Sequence, residues 1–452
     1  MTEPATGHTE DGGNSALAAT PSWREALWVW CRVALLSFGG PTGQIAVMHR
    51  VFVEEKRWVD EQRFLNALNF CLLLPGPEAQ QLATYLGWMT HGPRGGWVAG
   101  TLFILPGFVC ILGLSVVYVE FQDLSWIGGL FMGLKPAVIV VVAAALIRVA
   151  KRVLRDRAAW WLAAVSFAAI HFLGAPFPML IVGAAAWGWW RNRKAPTASD
   201  AGAMDGNTSG VTGGWRRSVV LTLWFLPLWL GPLGVLTAWL GRGSIFVEQG
   251  LFFGKMACVT FGGAYSVLSY VAQQAVERYG WLSPGEMLDG LGMAETTPGP
   301  LIMVVQFVAF MGAYRAPGPF SPLGAGFLAS AIAVWVTFIP CFYWILLGAP
   351  HVERLRRDKR LAGTLSAISS AVVGVILNLS LWFAAHTLFA RVEAGRAGPL
   401  RYLDVDWGTW QPAAVGIMVL AGLWMLAFRR GMAETLAISA AVGIAVGQLG
   451  PR

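Results

Sequence analysis

Charge is scarce in this chain: 13% of its residues are Asp, Glu, Lys or Arg, against 56% that are apolar. A set of soluble domains needs more charge than that to cover its surface, so 452 residues of globular protein are excluded. Cysteine is rare as well. Cys31, Cys71, Cys110, Cys258 and Cys341 stand singly in apolar surroundings without CxxC spacing, and read as small core hydrophobes rather than a disulfide framework. The six histidines are dispersed, with no pair spaced for a metal, so neither metal nor cofactor is expected.

What the chain does have is long apolar runs. Val98–Val119, Gly129–Ala150 and Phe327–Leu347 each suffice to cross a bilayer, which takes about 20 residues per helix, so the fold class is an all-α polytopic membrane protein with lipid as its first partner. The net charge of +8 would suit a nucleic-acid binder. Its basic residues, however, gather in short loops between apolar runs, as membrane topology demands, and no nucleic-acid partner is expected. Residues 1–22 are polar, small and acidic, lack a basic n-region and an apolar h-region, and read as a disordered tail rather than a signal peptide.

The chain also repeats itself. Residues 38–77 and 261–300 align without gaps at an offset of 223, matching at 11 of 40 positions, among them Phe38-Gly39-Gly40 with Phe261-Gly262-Gly263 and Pro75-Gly76-Pro77 with Pro298-Gly299-Pro300. After eleven inserted residues, "LPGF" (105–108) meets "IPCF" (339–342) and "AVIVVV" (137–142) meets "AVVGVI" (371–376). Terminal pairs of short apolar helices, 158–174 with 177–190 and 411–428 with 431–448, look equivalent too. The expected organisation is a first repeat over 23–190, a cytoplasmic linker over 191–217, a connecting transmembrane helix over 218–241 and a second repeat over 242–450.

Three loops, 148–157, 191–217 and 351–360, carry five Lys/Arg each and are assigned to the cytoplasm. The first-half counterpart of the last is "YVEFQDLS" (118–125), which has two acids and no base and belongs outside. Equivalent loops thus face opposite sides, and the two halves are expected in inverted topology, the single crossing at 218–241 supplying the inversion. The loop 391–407 goes outside despite three arginines, with Glu393, Asp404 and Asp406 offsetting them. Inverted repeats are the architecture of secondary transporters, whose solute site lies near the midplane between the repeats.

Each repeat carries two helix breaks in apolar sequence, one at Phe-Gly-Gly and one at Pro-Gly-Pro. Broken backbone cannot face lipid, so these half-helices must line a cavity or other protein; the plainer reading is that they only kink and pack helices. Half-helices starting after Gly40, Pro77, Gly263 and Pro300 would aim N–H groups and positive dipole ends inward, which suits a tetrahedral oxyanion better than a cation. The candidate solute site is Gly39, Gly40, Thr42, Gln44, Gly76, Glu78, Gln80 and Gln81 from the first half, with Gly262, Gly263, Ser266, Thr297 and Gly299 from the second. Tyr265 and Thr296 stand nearby.

Arg32 and Lys255 each lie six residues before a Phe-Gly-Gly, and Lys135 stands inside "FMGLKPAVIV". Charge at membrane depth costs about 2.5–3.5 kcal/mol on insertion scales and usually marks a pathway or an ion pair, so all three join the candidate site, with snorkelling as the alternative. Glu78 and Glu295, on opposite sides of their Pro-Gly-Pro motifs, are the candidates for carrying a coupling proton; Glu78 could equally cap a helix. His49 and Arg50 could touch solute, whereas 53–63 reads as an interfacial loop with Trp58 and Trp281 as surface anchors.

"SFGGPTGQIAVMHR", "LLLPGPEAQQLATYLGW" and "HGPRGGWVAGTLFILPGF" resemble the chromate ion transporter family in its long, two-domain form, over roughly residues 24–448. The resemblance implies a multi-pass protein of the bacterial inner membrane, with two homologous halves of opposite orientation, that exports chromate and confers chromate resistance, sulfate being the close analogue. It matches best at Phe38–Pro41, Gln44 and Pro75–Gln81, and less well in the second half, where Ala264 replaces the proline and Leu301-Ile302-Met303 the polar run. The expected function is ion-coupled secondary transport of chromate; the alternatives are a transporter of sulfate or another tetrahedral oxyanion, a passive channel, and a membrane enzyme reducing chromate. Missing flavin, haem and iron–sulfur motifs weigh against the enzyme. A homodimer is compatible with this reading.

Overall fold

A computed structural model describes residues 21–121, 124–194, 214–261, 263–351, 358–398 and 400–449. Most of the N-terminal tail, most of the linker at 191–217, much of the 351–360 loop and Gly262 lie outside these residues.

The fold is almost entirely helical. In the first half α1 (Trp23–Leu36), α2 (Gly40–His49), α3 (Glu61–Cys71), α4 (Glu78–Phe121), α5 (Ser125–Val153), α6 (Arg157–Leu173) and α7 (Phe177–Arg191) follow one another. After α8 (Gly214–Leu240) come α9 (Ile245–Val259), α10 (Ala264–Gln273), α11 (Pro284–Thr296), α12 (Val304–Arg315), α13 (Pro322–Gly348) and α14 (Lys359–Leu388). A hairpin of β1 (Val392–Ala397) and β2 (Leu400–Val405) precedes α15 (Pro412–Gly422) and α16 (Met432–Leu449). By length and composition five helices can cross a bilayer: α4, α5, α8, α13 and α14. The protein is a multi-pass membrane protein.

Local chemistry recurs at the offset of 223. Asp60 caps α3 by accepting the Arg63 N–H, and Ser283 caps α11 by accepting that of Glu286. Both α2 and α10 end in a π-helical turn, Arg50–Glu55 and Gln274–Arg278, closed by Lys56 N–H donating to Val51 O and Tyr279 N–H to Gln274 O.

The 44 residues of α4 are not one straight rod. His91 and Gly92 leave helical dihedrals, Gly92 at φ +62°, and Pro93 starts a second arm that folds back on the first. Glycines let the arms touch: a methyl group on Gly87 would lie 2.4 Å from Gly95 O, and one on Gly100 2.3 Å from Thr84 Oγ1. The second half makes the same hairpin from α12 and α13, where Gly326 packs under the Phe310 ring.

The halves trade partners. The first half's α5 lies against the second half's α15 and α16, and the second half's α14 lies against the first half's α6 and α7. Small residues permit both approaches: a methyl on Gly133 would lie 2.0 Å from Ser439 O, one on Gly443 2.3 Å from Gly133 N, and one on Gly374 2.1 Å from Ala163 O. Without a hydrophobic force between helices in lipid, such contact of backbones is a principal source of association.

Candidate functional site

The four helix breaks converge where the halves meet. α1 stops at Leu36, and Ser37 turns its hydroxyl back onto Val33 O at 2.6 Å; α9 stops at Val259, and the Thr260 hydroxyl donates to Met256 O at 2.6 Å. Their carbonyls then accept from the other half. Gly76 N–H donates to Thr260 O at 2.8 Å, and Gly299 N–H donates to Ser37 O at 3.0 Å. The four residues are two pairs separated by 223, so one bond is made twice with the halves exchanged.

Glycine is required here by the backbone. Gly39, Gly40, Gly76, Gly263 and Gly299 have φ of +85°, +68°, +125°, +98° and +99°, a region closed to most side chains. Space is short as well, since a methyl on Gly76 would lie 2.7 Å from Cys341 Sγ and one on Gly299 3.0 Å from Gly107 Cα.

Each Phe-Gly-Gly break faces a glutamate of the opposite half. A methyl on Gly40 would lie 3.8 Å from Glu295 Oε2, and one on Gly263 3.3 Å from Glu78 Oε1. Glu295 is buried in the last turn of α11, where the Tyr265 hydroxyl donates to its Oε1, while Oε2 has no hydrogen-bond partner among the described residues. Glu78 is half-buried and opens α4. The starts of α2 and α10 are therefore each met by a built-in carboxylate, the position that dipole and free N–H groups favour for an anion.

The polar neighbours divide by what they have free. Gln44 is buried and donates from Nε2 to Gly299 O at 2.6 Å, tying α2 to the opposite break. Gln81 donates to Pro75 O at 2.8 Å and Gln80 to Thr84 Oγ1 at 3.0 Å. The amide oxygens of all three have no partner among the described residues, so each offers a free acceptor beside the second N–H of its Nε2. A hydroxyl and a guanidinium stand nearby: Thr42, exposed in the first turn of α2, and Arg148 of α5, whose Nη1 donates to Thr42 Oγ1 at 2.9 Å. Thr297 is buried at the end of α11. The Ser266 side chain and Gly262 lie outside the described residues.

Two predicted cations are not gathered here. Arg32 is paired with Glu55 at 2.7 Å and lies over the Trp28 ring, and Lys255 is exposed on α9 without a partner among the described residues. Their shared register fixed a position along the helix, not the face on which it points. His49 and Arg50 are likewise held by acids outside the breaks, His49 by Glu61 at 2.6 Å and Arg50 by Glu55 at 3.5 Å.

Lys135 has a buried partner. Its Nζ lies 3.3 Å from Oδ2 of Asp289, which is 2% exposed on α11 and also accepts from the Tyr118 hydroxyl at 2.9 Å. Asp289 precedes Glu295 by six residues, about 9 Å along α11, so Lys135 touches the helix that carries the site rather than the breaks themselves. Sequence reasoning missed Asp289 and Arg148. An acid inside the apolar run of α11 was a signal; Arg148 was counted as loop, although α5 continues to Val153.

Comparison with known proteins agrees with this architecture. The family model described as "Chromate transporter" matches residues 24–189 and again 247–448. A chromate transport protein of Cupriavidus metallidurans is 27% identical over 391 residues, covering 86% of this chain and 89% of the relative. One from Pseudomonas aeruginosa is 30% identical over 372 residues, 81% of this chain and 82% of the relative. An uncharacterized transporter of Bacillus subtilis is 26% identical over 152 residues, 34% of this chain and 76% of its own. No solved structure matches. With two matches that together span most of its length, the chain belongs to the chromate transporter family.

Proposed function

We propose that this protein is a secondary active transporter that exports chromate across the bacterial inner membrane and so confers chromate resistance, working through two halves in inverted topology. The observation that carries the reading is the crossed pairing of glycine break and carboxylate, Gly40 with Glu295 and Gly263 with Glu78. A dianion seeking the starts of α2 and α10 competes there with a resident carboxylate, and protonating that carboxylate removes the competitor. Solute and proton are thereby linked at one place. Thr42 and Arg148 supply side-chain donors at the rim, and the Lys135–Asp289 pair supports α11 from behind.

A two-fold relation between the halves is supported by the reciprocal bonds from Gly76 to Thr260 and from Gly299 to Ser37, and the reading that its axis lies in the membrane plane rests on the loop charges. The basic loops 148–157, 191–217 and 351–360, against the acidic 118–125, support inversion. Chromate as solute rests on the family and on the relatives named for chromate transport. Sulfate is the second reading, because a site of backbone donors and one arginine recognises a tetrahedral dianion of either element.

Inverted membrane vesicles with radiolabelled chromate test the reading. Uptake driven by a pH gradient is expected in wild type and is lost in Glu78→Gln and Glu295→Gln; flux that ignores both the gradient and the two substitutions overturns coupled transport through these residues. Excess sulfate distinguishes the two solutes by competition.

A further inference from the structure

The β1–β2 hairpin is the one sheet among the described residues, and its register sets Arg396 directly opposite Arg401. Like charges facing each other across an antiparallel pair destabilise it. The hairpin's acids do not relieve the repulsion, because side chains alternate along a strand: Glu393 and Asp404, three residues from the arginines, stand on the other face. Among the described residues neither the Arg396 nor the Arg401 guanidinium has a hydrogen bond or an ion pair.

Both arginines line a cavity of about 610 Å³ between the hairpin, the α6–α7 turn, α14 and the end of α10. Arg401 is drawn inward by the end of α6: a methyl on Gly174, the glycine that caps that helix, would lie 2.6 Å from Arg401 Nη1. Arg278 enters the same cavity from the π-turn after α10. The lining has one acid, Glu277, which accepts from Gln273 at 3.3 Å. Three guanidiniums against one carboxylate leave two positive charges, the complement of a dianion, and guanidinium forks suit the paired oxygens of a tetrahedral oxyanion.

The cavity and the Phe-Gly-Gly break of the second half share one helix, α10. Ser269 in its wall donates to Tyr265 O at 3.0 Å, one helical turn from the tyrosine that holds Glu295. We propose that this hairpin-capped cavity is a second anion site, an outer vestibule that holds tetrahedral oxyanion dianions on the face to which the hairpin belongs. Its part in transport rests on the oxyanion reading above; its affinity for such an anion does not. Two of the three arginines of 391–407, anomalous under the positive-inside rule, thereby acquire a task.

The test uses the full chain purified in a phospholipid-free maltoside micelle, titrated with radiolabelled sulfate and chromate, beside transport in vesicles. Arg396→Gln/Arg401→Gln is expected to weaken anion binding in the micelle at least tenfold and, in right-side-out vesicles, whose hairpin faces the added anion, to raise KM for anion exchange several-fold with kcat within about twofold. Arg396→Lys/Arg401→Lys, which keeps the charge without the fork, should restore part of the affinity. Unchanged micelle binding and KM in the Gln variant overturn the proposal, as does an effect confined to vesicles of anionic phospholipid, which assigns the arginines to lipid phosphates. Arginine-dependent binding in a protein that moves neither ion leaves the vestibule standing and overturns the transport reading instead.

Discussion

Gly40 of the first half stands against Glu295 of the second, close enough that an added methyl would lie 3.8 Å from the carboxylate Oε2. At φ +68° an L side chain costs roughly 1–2 kcal/mol, and here it also pushes into the space in which solute and carboxylate compete. Gly40→Ala should reach the membrane in normal amounts yet transport at least tenfold more slowly, as vesicle uptake per unit of protein will show. Wild-type rates would detach this break from the pathway.

The Tyr265 hydroxyl is the one hydrogen-bond partner given to Glu295 among the described residues. Removing a donor to a buried charged group is worth about 1–3 kcal/mol. Tyr265→Phe is therefore expected to displace the pH profile of downhill chromate flux by a unit or more, whereas Glu295→Gln, in which a pH gradient no longer drives uptake, flattens it. An identical profile in all three proteins would remove Glu295 from proton transfer.

Lys135→Met strands the Asp289 carboxylate, 2% exposed, leaving Tyr118 as its hydrogen-bond partner among the described residues. Breaking a buried pair from one side costs about 3–5 kcal/mol, and removing both charges returns much of that. Thermal unfolding in detergent should show Lys135→Met strongly destabilised and Lys135→Met/Asp289→Leu close to wild type. If the double variant is stable but inactive, the pair serves transport as well as folding.

Gly133 and Gly443 hold α5 and α16 at backbone contact. Gly133→Leu should lower Tm by several degrees. Gly113→Leu, at a position where an added methyl meets nothing within 4 Å, should leave it unchanged. Equal effects at the two sites would mean that the α5–α16 contact contributes little to stability.

Asp156 caps α6 by accepting the Ala159 N–H and then pairs with Arg191 at 2.8 Å, both holding its carboxyl below the usual carboxylate range. A carboxyl depressed in the folded state contributes stability that is present above its unfolded pKa of about 3.9 and is lost as pH falls through the folded value. Asp156→Asn keeps a capping oxygen without the charge, so its Tm should fall less than that of wild type between about pH 6 and pH 3. Parallel curves would show that the charge is screened away by solvent.

The repeat was legible because its signature is a backbone requirement: positive-φ glycines and helix-breaking prolines tolerate few replacements, so Phe-Gly-Gly and Pro-Gly-Pro survive where the surrounding side chains diverged. Membrane class and helical content followed from apolar run length alone. Which residues share a site did not, because every break takes its partner from the other half, some 180 to 260 positions away along the chain. Arg32 and Lys255 show the same gap from the opposite direction, equivalent in register yet turned to a neighbouring acid and to the outside. "HGPRGG" hid a reversal of chain direction within what read as one glycine-proline run, since only the dihedrals of His91 and Gly92 reveal it.

The crossed bonds from Gly76 to Thr260 and from Gly299 to Ser37 also set an order of events during synthesis. When the ribosome has delivered only the first half, the Ser37 carbonyl lacks its donor, Gly299 N–H, and the Gly76 N–H lacks its acceptor, Thr260 O, because neither has yet been translated. Hydrocarbon offers neither group a substitute. Until about residue 300 has emerged, the first half must therefore wait at the translocon, in water, or with its α2–α3 segment short of its final depth, and the two halves complete their insertion as one act.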